Sequence, residues 1–318
     1  DLRKNEGTIV PEKEEFDKFI KDKDIKIPFL GIKGNGDALA FNRDLIGESF
    51  RIYDHFKPFE MDFHNDQNQR IKIDLDEENG LYRITQGKLS LILYPEDFSL
   101  EEVGNWLKRN IRHNVVSSDE MSKYIDLVLA EASKKHSIEE ISLNRFRLKE
   151  LIGFEVFKII TEYAKGVFDN LMSKKLVSTD SAFYTPAENI LLLRRSEEHF
   201  QKHLFERAGH LNGEETDFAM RLDTLENLSW WYRNREKEDF YLQGWKQGKF
   251  YPDFIAKTKD GRYLLIEYKG EDRLSNEDTG YKKELGNLWS QISGSKHKFY
   301  LVNKSNSDNI LKEISSVV

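Results

Sequence analysis

In the stretch FYPDFIAKTKDGRYLLIEYKG (250–270), Asp253, Glu267 and Lys269 stand where strands usually carry apolar or neutral polar residues. Asp260-Gly261 is a tight-turn dipeptide between two apolar runs, so the stretch reads as an antiparallel hairpin. Side chains two apart on a strand share a face, which puts Glu267 and Lys269 together. The hairpin then folds Asp253 alongside them. Two converging carboxylates form a hard-oxygen donor set suited to Mg²⁺ or Mn²⁺. A divalent ion there would lower the pKa of its water and offset charge developing on phosphorus. The neighbouring lysine would orient that water or steady a phosphate. The chemistry that this set suits is phosphodiester hydrolysis. A charged hairpin edge would account for Lys269, since edges use lysine to deter further pairing. It accounts poorly for Glu267 inside LLIEYKG, because burying an unpaired carboxylate is costly. A glycosidase acid–base pair would use the two carboxylates but leaves the lysine and the order of elements without a role.

The surrounding sequence has to hold these residues in place. From residue 190 onward the pattern predicts helices over 196–208 and 223–235, then strands over 239–245, 249–258 and 262–270. A helix over 276–293, a strand over 298–303 and a final helix follow, giving the core order α-β-β-β-α-β. Upstream, Ser99 with Glu102 and Ser117 with Glu120 have capping-box spacing and open two helices. A long periodic helix is expected over 142–174, with Ile152, Phe154, Val156, Phe157, Ile160, Tyr163 and Val167 as its apolar part. Residues 25–33 and 37–42 flank Gly-Asn-Gly as a hairpin, and strands are expected over 70–76, 81–85 and 88–94. The polar join 177–189, which contains a proline, marks a boundary. The expected division is a β-rich module (1–96), a helical spacer (97–176) and a catalytic domain (177–318).

Pro252-Asp253 followed by Glu267-Tyr268-Lys269, within that order of elements, resembles the PD-(D/E)xK nucleases. LENLSWWYRNRE, FYLQGWKQGKFYPDFIAKTKDGR and IEYKGEDRLSNEDTGYKKELGNLW are similar to the C-terminal nuclease region of type III restriction enzyme Res subunits and their superfamily 2 helicase–nuclease relatives. The similarity covers roughly residues 190–303. It implies an α/β, restriction-endonuclease-like core at the C-terminus, behind a helical arm and a small β-rich module. It also implies a Mg²⁺- or Mn²⁺-dependent DNA endonuclease of phage defence. Asp253 and Glu267 would be metal ligands, Lys269 the catalytic lysine, and Glu226 a third acidic residue of the catalytic and metal set. A helicase domain and a methyltransferase subunit would be partners besides DNA. The sequence has neither a Gly-rich P-loop with Lys-Ser/Thr nor an Asp-Glu-x-His box, so ATP is not expected to bind this chain. The alternative is a nuclease-fold module that binds DNA or a partner and stays inactive without a helicase or methyltransferase subunit.

Of the 318 residues 38% are hydrophobic and 33% charged, with a formal net charge of -7. No global basic signal points to nucleic acid, so a local groove must supply it. Arg233, Lys246, Lys249, Lys282 and Lys283 are the basic residues expected around that groove. The absence of cysteine excludes disulfides and Cys-based zinc or iron–sulfur sites. His199 and His203, with His210 nearby, are expected as surface histidines and Trp230 and Trp231 as core residues. No apolar run approaches the ~18 residues of a membrane span, and a cytoplasmic location is expected.

Overall fold

The computed structural model describes residues 11–15, 24–63, 99–270 and 277–316, with the backbone of 73–76 and 81–84. In chain order the first strands are β1 (Glu12–Glu15), β2 (Ile27–Pro28), β3 (Gly31–Ile32), β4 (Ile73–Asp76) and β5 (Leu81–Ile84). Helices α1 (Leu100–Asn110), α2 (Ser118–Ala132), α3 (Ile138–Leu143) and α4 (Arg145–Ser173) follow. Next come β6 (Val177–Ser178), β7 (Phe183–Tyr184), β8 (Asn189–Leu192), α5 (Gly213–Asp223) and β9 (Leu228–Arg233). The chain continues through β10 (Phe254–Thr258), β11 (Tyr263–Tyr268), α6 (Glu277–Ser293), β12 (His297–Val302) and α7 (Ser307–Ser315). The architecture is mixed α/β. Among the described residues no helix is long and apolar enough to cross a membrane.

The chain forms two compact units, Asp1–Asp44 with Val167–Val318, and Leu45–Gly166. The expected boundaries at 96/97 and 176/177 do not coincide with these. Backbone pairing is the reason: β1, β2 and β3 pair antiparallel with β8, β7 and β6. The indole of Trp289 in α6 also donates to the Pro28 carbonyl at 2.7 Å. The Gly-Asn-Gly turn forms as expected, with Gly34 and Gly36 at φ +85° and +77° and Gly31 bridged to Ala38. Of the strand expected over 37–42 only that bridge forms, and Phe41 and Asn42 open a π-helical turn, Phe41–Ile46.

In the unit Leu45–Gly166, α1 and α2 start on the two expected capping boxes. The Ser99 and Ser117 hydroxyls accept from the amides of Glu102 and Glu120, whose carboxylates accept in return from the serine amides. Along α4, Leu148, Ile152, Val156 and Ile160 recur every four residues and are buried, forming one stripe. Phe154 and Phe157 lie off that stripe and are 64% and 49% exposed, so they are not part of its core. Strands β4 and β5 pair antiparallel within the expected 70–76 and 81–85 segments. The strand expected over 88–94 lies outside the described residues.

In the other unit one four-stranded sheet has the order β12-β11-β10-β9. β11 runs parallel to β12, and the remaining pairs are antiparallel. Trp231, Phe254, Ala256, Leu264, Ile266 and Val302 join Phe218 and Leu222 of α5 and Leu311 and Ile314 of α7 in one core. Side chains alternate along strands, so Ile255, Leu265 and Phe299 serve the opposite face. There α6 comes close enough that a Cβ on Gly286 would meet the Phe299 ring at 2.4 Å.

The sequence α5-β9-β10-β11-α6-β12 reproduces the expected α-β-β-β-α-β order, but with different segments at its start. Residues 223–235, expected as a helix, contain β9. Leu-Ser-Trp-Trp-Tyr-Arg is aromatic-rich and fits a pleated, buried surface, and Trp230 and Trp231 are fully buried as expected. Residues 196–208, also expected as a helix, instead run along β9. The Leu204 amide donates to the Trp231 carbonyl at 2.7 Å, and the Trp231 amide to the Lys202 carbonyl at 2.9 Å. The Asp223 carboxylate accepts from the amides of Gln201 and Lys202. These bonds take the donors a helix would need. Residues 239–245, expected as a strand, make only the Leu242–Phe250 bridge.

Candidate active site

Register brings the two carboxylates together. Phe254 pairs with Ile266 across β10 and β11, so Asp253 and Glu267 come opposite one another one step further on. The Tyr268 amide donates to Asp253 Oδ2 at 2.8 Å and fixes that carboxylate against β11. Lys269 Nζ lies 2.7 Å from Glu267 Oε1. From α6, Lys282 Nζ reaches the same oxygen at 3.1 Å. Glu267 is 2% exposed, and its Oε2 is buried without a hydrogen-bond partner. Burial, reinforced by the Asp253 charge, raises the Glu267 pKa to about 7 against the pull of the two lysines.

These residues border a cleft of about 320 Å³, whose walls are completed by Arg233, Asn234, Glu236, Lys249 and Tyr251. Its charged lining comprises Arg233, Lys249, Lys269 and Lys282 against Glu236, Asp253 and Glu267. The local balance is therefore slightly positive on a chain that is negative overall.

Arg233 was expected to contact nucleic acid, yet its side chain is only 19% exposed and is committed to carboxylates. Its Nη1 lies 2.7 Å from Asp253 Oδ1 and donates to the Asp253 carbonyl at 3.0 Å. Its Nη2 lies 3.2 Å from Glu215 Oε1, and its guanidinium stands 5.2 Å from the centre of the Phe254 ring. Glu215 is the acidic residue that α5 sends toward the site, and it is held at both ends. Its other oxygen accepts from the Asn212 amide at 3.0 Å in a capping box. The Asn-x-x-Glu spacing of Asn212 and Glu215 is the signal in the sequence that would have found this helix start.

Glu226 is not at the site. It is exposed, in the turn that enters β9, beside Asn227, whose carbonyl accepts from the Lys259 amide at 2.7 Å. That is the hairpin end of the sheet, and the length of β10, roughly 17 Å at ~3.3 Å per residue, separates it from Asp253. Lys246 lies outside the cleft lining, paired with Glu277 at 3.2 Å and set 5.0 Å from the Tyr281 ring centre. Lys283 is exposed on α6 and lines a different hollow, with Asn287, Tyr300 and Asn306. Of the five expected nucleic-acid residues, Arg233, Lys249 and Lys282 line the cleft, with Arg233 paired to Asp253 and Glu215 and Lys282 to Glu267 and Asp278.

His203 is buried rather than superficial. The Arg233 amide donates to its Nε2 at 3.2 Å. Nδ1 lies 2.8 Å from the Phe205 carbonyl oxygen and 3.2 Å from the Phe205 amide, so both ring nitrogens are tied to backbone. Burial lowers its pKa to about 4, so a neutral imidazole anchors the backbone beneath Arg233. Among the described residues no group of three or more His, Asp or Glu side chains is arranged around a common metal position. The centre thus offers two protein carboxylates, with Glu267 Oε2 as its uncommitted buried oxygen. No family model matches the chain, and no curated protein or solved structure is significantly similar to it.

Proposed function

We propose that the chain is a divalent-metal-dependent nuclease that hydrolyses phosphodiester bonds of DNA, of the PD-(D/E)xK type. Its finer placement, as the nuclease part of a type III restriction-like helicase–nuclease, rests on the resemblance of residues 190–303. The observation that carries the reading is a buried glutamate with one unpartnered oxygen, set opposite an aspartate and touched by a lysine two residues on. A buried carboxylate of that kind is costly unless something compensates it. The α-β-β-β-α-β order supports the same assignment.

The donor set fits Mg²⁺ or Mn²⁺. Glu267, through Oε2, and Asp253 would hold the ion, and Mg²⁺ commonly takes one or two carboxylates, with waters and substrate phosphate completing its shell. Glu226 is not part of this set. The ion would supply a water of lowered pKa and neutralise charge developing on phosphorus. Lys269, held against Glu267, would position that water by donating a hydrogen bond to it. Lys282 and Lys249 stand where a phosphate would enter the cleft. Arg233 fixes the rotamer of Asp253. Hydrolysis adds the water oxygen to phosphorus as the P–O bond to one nucleoside breaks.

The test is cleavage of supercoiled and single-stranded DNA in Mg²⁺ or Mn²⁺ against EDTA, with Lys269→Ala and Asp253→Ala alongside. Metal-dependent cutting that both substitutions abolish supports the reading. Full activity in either variant refutes it. DNA binding without cutting, until a helicase or methyltransferase subunit is added, is the outcome for a partner-activated module.

A further inference from the structure

The centre is electrically balanced by its own side chains. Glu215, Asp253 and Glu267 face Arg233, Lys269 and Lys282. Arg233 differs from the two lysines. Its fork bridges two carboxylates from two elements, α5 and the start of β10. Its side chain is 19% exposed, like that of Asp253, and its backbone amide is pinned by buried His203. A bidentate, anchored guanidinium has lost most of its freedom already and does not leave easily. A divalent ion entering this centre alone would add two positive charges to a set whose carboxylate charge Arg233, Lys269 and Lys282 already offset, in a partly desolvated cleft where charges are weakly screened.

We infer that Arg233 is a resident cation of the centre, which restricts it to one divalent ion and makes that ion's entry depend on simultaneous binding of a phosphodiester. This rests on the nuclease reading of the site. Arg233 is paired with Asp253, so Glu267 Oε2, buried without a partner, is the principal oxygen for a hard cation, with Asp253 beside it. The phosphodiester contributes the negative charge and the oxygen ligand that the protein lacks. Linkage then requires the reciprocal effect, with the metal tightening nucleic acid by the same factor. Arg233 acts here as a positioning residue, through Asp253 and through the charge balance.

The experiment measures Mn²⁺ binding to the whole chain by electron paramagnetic resonance. It is done with and without a phosphorothioate oligonucleotide that resists hydrolysis, after subtracting ions held by the oligonucleotide alone. One Mn²⁺ per chain is expected, with affinity raised about tenfold or more by the oligonucleotide. Arg233→Gln should raise Mn²⁺ affinity in the absence of oligonucleotide and shrink the enhancement, and Arg233→Lys, which keeps the charge, should restore it. Equal Mn²⁺ affinity with and without oligonucleotide, or two ions per wild-type chain, would overturn the inference and leave the metal-dependent nuclease reading standing. Absence of Mn²⁺ binding under both conditions would overturn both. If Arg233→Gln fails to fold, the wild-type comparison still decides, because coupling and stoichiometry are read without any substitution.

Discussion

The two ends of the β10–β11 hairpin each hold a carboxylate beside cationic side chains, and they treat it in opposite ways. At the turn, Asp260 accepts from Arg262 Nε at 3.1 Å, from the Thr258 hydroxyl and from Asn227. Although partial burial acts against it, these bonds hold its pKa well below the ordinary carboxylate range. Arg262 in turn donates to the Ile314 and Ser316 carbonyls, so it closes the end of α7 onto the hairpin. At the other end Glu267 is more deeply buried, one of its oxygens has no partner, and its pKa is raised. A carboxylate that serves folding is saturated with donors, as at the turn. One left partly unsatisfied and pushed toward neutrality in a cleft marks a place where stability is given up for chemistry.

The sharpest way to break that contrast is an isosteric exchange at each end. Glu267→Gln is expected to lower metal-dependent cleavage about 10³-fold, the scale for losing a group that acts in the transition state. Stability near neutral pH should not fall, because the substitution removes a buried charge whose cost exceeds what its lysines return. Asp260→Asn should do the reverse. It should cost about 1.5–3 kcal/mol, the range for bonds to a charged acceptor, and leave cleavage within about twofold. Urea unfolding and the DNA assay on the same two proteins read both halves. Loss of cleavage in Asp260→Asn at unchanged stability would erase the distinction.

Acid and base should also separate the ends. Glu267 binds its proton more tightly folded than unfolded, so between its ordinary value of 4.5 and about 7 the folded state holds more protons. Stability from this group is therefore present at low pH and lost as pH rises through that window. Asp260, depressed on folding from 3.8, contributes stability that is present above that value and lost as pH falls below it. In EDTA, the stability of Glu267→Gln relative to wild type should grow from pH 4.5 to 7. That of Asp260→Asn should be flat over the same range. A Glu267→Gln difference that does not change with pH would mean that its carboxylate is not poised as its burial indicates.

The hairpin and its convergence were legible because they depend on strand parity and one Asp-Gly turn, both local. Gly261 indeed adopts φ +88°, and Asp253, Glu267 and Lys269 meet. The helix that precedes the sheet was misplaced because residues 223–235 mix charged and aromatic side chains at a spacing that suits a helix or a strand. Only the partners of Trp230 and Trp231 across the sheet decide between them. The same shift of the helix, from 223–235 to Gly213–Asp223, is why Glu226 lies away from the cleft and why it is Glu215 that reaches Arg233. Arg233 read as a phosphate contact because nothing local reveals that two carboxylates, 18 residues before it and 20 after it, converge on it. Nor could the sequence show that β1, β2 and β3 pair with β8, β7 and β6, since such short strands carry no periodicity of their own.

The smallest expected effect tests where nucleic acid lies relative to the two ends. Lys249 lines the cleft, with its Nζ 3.7 Å from the centre of the Tyr241 ring. Lys283 projects instead from α6 into a separate hollow of about 450 Å³ beside β12. Each phosphate contact removed should weaken binding about equally for all sequences and lower the salt slope by about one. Lys249→Ala should show that loss, while Lys283→Ala should bind DNA within about twofold of wild type with the slope unchanged. Anisotropy titrations of a labelled oligonucleotide at several salt concentrations in EDTA read both slopes without needing cleavage. If Lys283→Ala alone lowers the slope, the polyanion runs over the α6–β12 hollow, and Glu267 would face a cleft that no substrate enters. The unsatisfied carboxylate would then need a structural explanation like that of Asp260.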